Sequence, residues 1–342
     1  MASKATIERP ETAIPIEKDP DILAAAARLA GEDLCSVADL SSAEVRAILK
    51  LGHDVKRNPR EYRHALDAKQ MVLMFEKASL RTRLAFETGI NTMGGNAIFV
   101  DHTSSPLGAR ESIAAVARNV ERWVDVIVLR TYAHDTITEM AANSRVPVIN
   151  ALSDFEHPCQ ALADFMTLQE HFGSAAGLNF TYVGDGNNVC HSLMLTGAQL
   201  AVNVTVATPR GYSPDIEIVT LARDIAQVNG CEIRLLQDPQ LAVEGADAVY
   251  TDVCVSMGFE HESTKREPIF RPFQVNEALM RKAAPHAVFM HCLPARRNAE
   301  VTDEVLDGPQ SIVFDQAENR MHCQKALLLL LLGGLANTAS FQ

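Results

Sequence analysis

The 342-residue chain has no long basic run, and its 31 Lys and Arg against 43 Asp and Glu leave a formal net charge of −12. Nucleic acid and anionic membrane surfaces are disfavoured as partners by that balance, and any anionic ligand must be held by locally placed positive groups. Arginines flanked by apolar segments are therefore the informative ones. None of the seven cysteines forms a C-x-x-C pair, so the common zinc pattern is missing, and the odd count speaks against a complete disulfide framework. A reducing, cytoplasmic setting is expected. Residues 1–20 hold no apolar signal-peptide core, and the only long apolar run, around residues 327–332, is too short to cross a bilayer. That run reads as a buried terminal helix, and residues 1–19 as a poorly ordered tail.

What the chain does contain is a repeated alternation of strand-like apolar runs and helical patterns, over a length suited to two domains. Strands are expected at 71–75, 97–100, 126–129 and 146–149. After a small-residue stretch at 173–177, which makes a candidate boundary, they are expected again at 180–183, 204–207, 232–235, 248–251, 287–290 and 312–314. Continuous apolar strands separated by helices predict an α/β fold of two domains, each with a central parallel sheet flanked by helices.

The segment Phe75-Glu76-Lys77-Ala78-Ser79-Leu80-Arg81-Thr82-Arg83 follows the first strand and opens a helix. Backbone N–H groups at a helix start have no helical partner. Together with the hydroxyls of Ser79 and Thr82 and the Arg81 guanidinium, they form a cradle for a phosphate-like anion. The plainer alternative is a helix capped by Ser79, with Arg81 and Arg83 as solvated charge. Leu84 and Phe86 are expected to turn toward the core.

Other strands also end in polar turns: Arg130, His157-Pro158-Cys159-Gln160, Gly184-Asp185-Gly186-Asn187-Asn188, Asp252 with Ser256-Met257-Gly258, and His291-Cys292-Leu293-Pro294. Open α/β sheets bind ligands at such positions. The Gly184-x-Gly186 turn imitates a dinucleotide fingerprint, but the third glycine position holds Val189 and the next strand ends Ala207-Thr208-Pro209 with no acid for a ribose. A dehydrogenase is thus disfavoured, and Asn187 and Asn188 become candidates for a small polar substrate. Asp252 suits an ammonium group, or equally a helix cap. Taken singly, Cys292 is a packing residue. Arg320, expected to begin the final helix, would by itself be a solvated charge or an ion-pair partner of Glu318.

In sequence order these segments, with Glu318-Asn319-Arg320, resemble the aspartate/ornithine carbamoyltransferase family over about residues 33–332. The Ser-Met-Gly loop and the His-Cys-Leu-Pro turn are similar to its ornithine-using branch. That resemblance implies transfer of a carbamoyl group from carbamoyl phosphate to the δ-amine of L-ornithine, with no cofactor and no metal. It implies Ser79, Leu80, Arg81, Thr82, Arg130, His157, Gln160, Cys292, Leu293 and Arg320 around carbamoyl phosphate, and Asn188, Asp252, Ser256 and Met257 around ornithine. Arg81, Arg130, His157, Asp252 and Cys292 would carry the catalysis. The implied architecture is an extension at 1–32, a carbamoyl-phosphate domain at 33–168, an ornithine domain at 169–319 and a helix at 320–342 packing back on the first domain, assembled as a homotrimer or a multiple of trimers. Two positions depart from the pattern: Leu80 stands where a threonine is common, and Pro106 where the family often places a side chain reaching the neighbouring subunit. Ser79-Leu80-Arg81 and Pro294-Ala295-Arg296-Arg297-Asn298 also resemble enzymes of the family that act on N-acetylated ornithine. A non-catalytic binding protein is the alternative of a different class.

Overall fold

The computed structural model describes residues 19–254 and 263–338. Its first half runs α1 (Pro20–Leu29), α2 (Ser42–Arg57), β1 (Gln70–Phe75), α3 (Leu80–Asn91), β2 (Asn96–Asp101), α4 (Ile113–Val120), β3 (Val126–Arg130), α5 (His134–Asn143), β4 (Val148–Leu152) and α6 (Pro158–Phe172). The second half continues with β5 (Asn179–Val183), α7 (Asn188–Gln199), β6 (Asn203–Ala207), α8 (Ile216–Asn229), β7 (Ile233–Leu236), α9 (Pro239–Ala242) and β8 (Ala248–Thr251). It ends with α10 (Ser263–Phe270), α11 (Glu277–Met280), β9 (Val288–His291), α12 (Asp303–Leu306), α13 (Val313–Leu331) and α14 (Leu335–Thr338).

The strands form two sheets, ordered β2-β1-β3-β4 and β7-β6-β5-β8-β9, and every pairing is parallel. Their composition explains this: β3 and β4 are buried along their whole length, as strands covered by helices on both faces must be. In each sheet the chain reverses direction once, between β1 and β3 and between β5 and β8. These are the two switch points where crossover helices part and leave a crevice at the strands' carboxyl ends.

Local signals act where chemistry predicts. Ser41 accepts from the Glu44 N–H while Glu44 Oε2 accepts from the Ser41 N–H at 2.7 Å, a capping box that starts α2. Gly173 ends α6 at φ +80°, a left-handed conformation that suits glycine.

Three expectations need correction. Residues 312–314 are not a strand: α13 begins at Val313, and only an isolated bridge joins Ser311 to Phe289. The short apolar run 312–314 is the first turn of a helix whose buried side carries Gln316 and Arg320, with Phe314 turned out to solvent. Arg320 therefore lies about two turns inside the last long helix rather than at its start. Finally, Phe86 is buried but Leu84 is 51% exposed, because residues two apart on a helix lie on different faces.

Helix α13 packs against α2, α3 and α6. A second link between the halves runs through the buried Glu156, which accepts hydrogen bonds from the Ser36 hydroxyl, the Val37 N–H at 3.1 Å and the Ser192 hydroxyl at 3.0 Å. Ser192 Oγ in turn accepts from the His157 N–H at 2.9 Å. Despite these donors, burial pushes the Glu156 carboxyl up to about 7, and it does the same to Asp164.

A pH dependence of stability follows. Both groups ionise at lower pH in the unfolded chain, near 4.5 and 3.8, so the folded protein binds more protons across the interval up to about 7. Stability contributed by the protonated groups is complete below that interval and is lost as pH rises through it. The melting temperature is expected to fall by a few degrees between about pH 5 and pH 8, and Glu156→Gln to flatten that slope in a scanning calorimetry series.

Candidate active site

A cavity of about 290 Å³ opens where the carboxyl ends of the two sheets face each other. Ser79, Leu80, Arg81, Thr82, Arg130, His157, Gln160, Asn188, Asp252, Cys292, Leu293 and Arg320 all line it. Ser256, Met257 and Gly258 lie outside the described residues.

One wall is the start of α3. Ser79 is its cap, accepting from the Thr82 N–H at 3.3 Å, so the capped-helix and cradle readings describe the same atoms. Leu80 and Arg81 occupy the first turn, where backbone N–H groups lack helical acceptors. Arg83 does not join them: it pairs with Glu87 at 2.8 Å and stacks over Phe99.

Three guanidiniums, from Arg81, Arg130 and Arg320, converge on this wall. Arg130 is buried at the end of β3, and Arg320 reaches in from α13 to donate to Thr82 Oγ1 at 2.6 Å instead of pairing with Glu318. Among the described residues none of the three forms an ion pair, and Nε of both Arg130 and Arg320 is buried without an acceptor. Burial first, and then Arg320, pull the Arg130 pKa down; burial also lowers that of Arg320. His157, at the start of α6, is held well below the usual imidazole range by burial, then by Arg320 and Arg130. It is neutral at physiological pH, and its Nδ1 is buried without a partner. These groups are donors waiting for an anion.

The opposite wall carries negative charge. Asp252, after β8, accepts from Asn187 Nδ2 at 2.8 Å and from the Cys292 thiol at 3.0 Å. Among the described residues no helix begins directly after Asp252. Burial, and next Asp252, push the Cys292 thiol far up, so the sulfur stays protonated and acts as a donor. Asn188 donates to Ser153 O at 2.6 Å, tying the start of α7 to the β4–α6 loop. Asp252, His291 and Cys292 offer ligand atoms within 4.8 Å of one another. The His291 ring, however, accepts the Leu293 N–H at Nδ1 and faces Glu300 at 3.3 Å with Nε2.

Gly186 in the 184–188 turn has a packing explanation. A Cβ on Gly186 would lie 2.2 Å from Pro214 N, so the close approach is to the chain's own backbone. Asp185 is held by Arg266 at 2.6 Å.

Three residues near the site carried no separate assignment from sequence. Lys77 lines the cavity and sits over the Tyr132 ring at 4.6 Å; it lies inside the cradle segment, and its place directly after the buried β1 was the available signal. Asn187, read from the sequence as a candidate for a small polar substrate, donates to Asp252, while Asp164 and Gln316, the other two, meet behind Gln160. Their partners are remote in sequence, and only the fold brings them together.

The carbamoyl-P binding domain of aspartate/ornithine carbamoyltransferases matches residues 32–170, and the Asp/Orn binding domain of the same family matches residues 176–331. The chain belongs to the aspartate/ornithine carbamoyltransferase family. Among its relatives is the ornithine carbamoyltransferase of Thermococcus kodakarensis, 47% identical over 309 residues that cover 90% of this chain and 98% of the relative. An anabolic ornithine carbamoyltransferase of Pyrococcus furiosus has the same identity and coverage. The solved structure of ornithine carbamoyltransferase from Pyrococcus furiosus superposes with a TM-score of 0.87 at 47% identity, covering 90% of this chain and 98% of that one. The anabolic enzyme from Campylobacter jejuni does so at 0.84 and 34% identity, covering 90% and 99%.

Uncompensated buried cations predict a ligand-dependent stability. Saturating inorganic phosphate is expected to raise the melting temperature by roughly 2 to 6 °C. In Arg130→Met that shift should fall below about 1 °C, with the ligand-free variant at least as stable as the parent, because a buried unpaired charge has been removed. Thermal melts with and without phosphate check both halves.

Proposed function

We propose that the chain transfers the carbamoyl group of carbamoyl phosphate to the δ-amine of L-ornithine, giving L-citrulline and phosphate. The observation that carries this reading is the polarity of the cavity, with three guanidiniums and a helix start on one wall and the Asp252 carboxylate on the other. A phosphate dianion and an amino acid's ammonium group match those walls.

In this reading the phosphate lies on Ser79, the N–H groups of Leu80 and Arg81, and Thr82. Arg130, His157, Gln160, Cys292, Leu293 and Arg320 surround the carbamoyl group and its bridging oxygen. Attack by the neutral amine forms the C–N bond and builds charge on the carbonyl oxygen; loss of the amine proton and departure of phosphate with the C–O bonding pair complete the transfer. Donors fixed in place before the reaction stabilise that charge without reorganising. The neutral His157 acts as a donor toward the carbonyl oxygen rather than as a further full cation. Cys292, kept as a thiol, holds Asp252 in place and is not the base.

Asp252 with Asn188 forms the described part of the ornithine side, to which Ser256 and Met257 would add. The first domain, to about residue 168, takes carbamoyl phosphate; the second, to about 319, takes ornithine; and the final segment packs back on the first domain. The family resemblance supports a homotrimer in the cytoplasm. Leu80, 70% exposed at the cavity mouth, and Leu84, one helical turn further on, offer an apolar face for a neighbouring subunit. Arginine synthesis is the metabolic setting, in line with the anabolic relatives.

Acylated ornithine is the second reading, and the position of Arg297 weighs against it. Its guanidinium is tied to Asp303 at 2.7 Å and Asp307 at 2.6 Å on the surface and does not line the cavity.

Citrulline formation from carbamoyl phosphate and L-ornithine is the direct test, and ligand binding without turnover would favour a binding module. Arg81→Lys should nearly abolish turnover with the fold intact, because an ammonium cannot reproduce planar multidentate contact with phosphate. Acylation removes the charge that pairs with Asp252, so L-ornithine should be preferred over its N-acetyl and N-succinyl derivatives by roughly thirty- to several-hundred-fold in kcat/KM. Initial rates with the three amines decide this; a preference for either acylated amine defeats the ornithine assignment and leaves carbamoyl transfer standing.

A further inference from the structure

Behind the cavity wall lies a chain of hydrogen bonds that the reaction itself does not use. Gln160 lines the cavity; one helical turn further along α6, Asp164 is completely buried. Gln160 Nε2 donates to Asp164 Oδ1 at 2.7 Å, and Gln316 Nε2, from α13, donates to the same oxygen at 2.7 Å. Gln316 Oε1 in turn accepts the backbone N–H of His291 at 3.0 Å.

The direction of each bond follows from the last. A backbone N–H only donates, so Gln316 must face it with its oxygen and send its amide hydrogens toward Asp164. Asp164 Oδ1 then serves as acceptor for both amides. With one Nε2 hydrogen committed in this way the amide's orientation is set, and Oε1, buried without a partner, is the acceptor Gln160 holds for a ligand. A primary amide has nearly the same shape in its two orientations, so packing alone would not choose between them.

We propose that Asp164, with Gln316, is a positioning residue that fixes the polarity of the Gln160 amide, so that the cavity offers an acceptor to the acyl group and selects a carbamoyl over an acetyl phosphate. This deepens the carbamoyl phosphate reading and rests on it. A carbamoyl NH2 donates to Gln160 Oε1, whereas a methyl group of similar size leaves that buried oxygen unpaired. Rejection of a ligand lacking the expected donor is the stronger form of discrimination, here about ten- to a hundredfold. The backbone of the second sheet thereby dictates which group the first domain accepts.

Phosphonoacetamide and phosphonoacetone differ only in NH2 against CH3 and are inert to transfer, so their dissociation constants for the full-length protein, from calorimetric titration, test the proposal directly. The parent should bind the amide about ten- to a hundredfold more tightly. Asp164→Leu should reduce that ratio to below about threefold, while Asp164→Asn keeps it, because Gln316 still demands an acceptor at residue 164. Adding Gln316→Leu to Asp164→Asn removes the demand, and the ratio should collapse. A purely structural role for Asp164 would shift both dissociation constants together and leave the ratio alone.

A parent ratio near one, an unchanged ratio in folded Asp164→Leu, or a lost ratio in Asp164→Asn alone would each overturn the proposal. Should Asp164→Leu fail to fold, the parent ratio and the comparison of the Asn variants with and without Gln316 decide the matter. Failure of the parent to bind either analogue is a distinct result, which removes the carbamoyl phosphate reading on which the proposal stands.

Discussion

The guanidiniums of Arg81, Arg130 and Arg320 repel one another inside a water-poor cavity, and among the described residues no carboxylate neutralises them in an ion pair. Bringing such groups together opposes folding, and the remaining architecture has to offset it. Their stems come from α3, β3 and α13, three elements anchored in one apolar core, so the charges cannot separate without dismantling that core. The site is thus organised around a deficit of negative charge, which an anion supplies only when it binds. Burial first, and then the field of Arg320 and Arg130, keeps His157 neutral, so the arrangement that attracts anions also helps to set the protonation state of the group beside them.

The opposite wall answers this field with a single acid. Asp252 holds its place through Asn187 and the Cys292 thiol, and all three come from turns at the carboxyl ends of β5, β8 and β9. The first switch point contributes Arg81 and Arg130, the second Asp252, and α13 adds Arg320 to the positive wall. Only when the two crevices face each other is there a cavity with two poles, so the distance between the domains is itself a determinant of the chemistry.

Much of this was legible in the chain. Strands such as β3 and β4 are apolar along their whole length, and that pattern has few explanations besides a covered parallel sheet. Residues directly after such strands, Arg130 and Asp252 among them, could be placed at the sheet edge from order alone. The reading failed where short apolar runs are ambiguous: residues 312–314 have the composition of a strand, but the helical pattern only becomes clear further along α13. It also missed groups whose importance lies in their partners. Asp164 and Gln316 are 152 positions apart, and nothing in the local composition of either marks it as part of a shared hydrogen-bond chain. Gly186 shows the same limit from the other side: a glycine required by the approach of Pro214 looks identical in sequence to one required by a phosphate, and only Val189 and the missing acid told them apart.

Helix α13 carries Gln316 and Arg320 four positions apart, so both face inward from the same side of one rod, the first toward Asp164 and the second toward Thr82. Angular phase along this helix is therefore constrained as well as side-chain identity, since most of its positions are buried. Inserting one residue between them would turn one relative to the other by about 100° and displace it by about 1.5 Å along the axis, so the two could no longer face the same wall. In drifting copies of this gene, substitutions should accumulate at Phe314, Asp315 and Glu318, the exposed positions of α13, long before a single codon is gained or lost between those two positions.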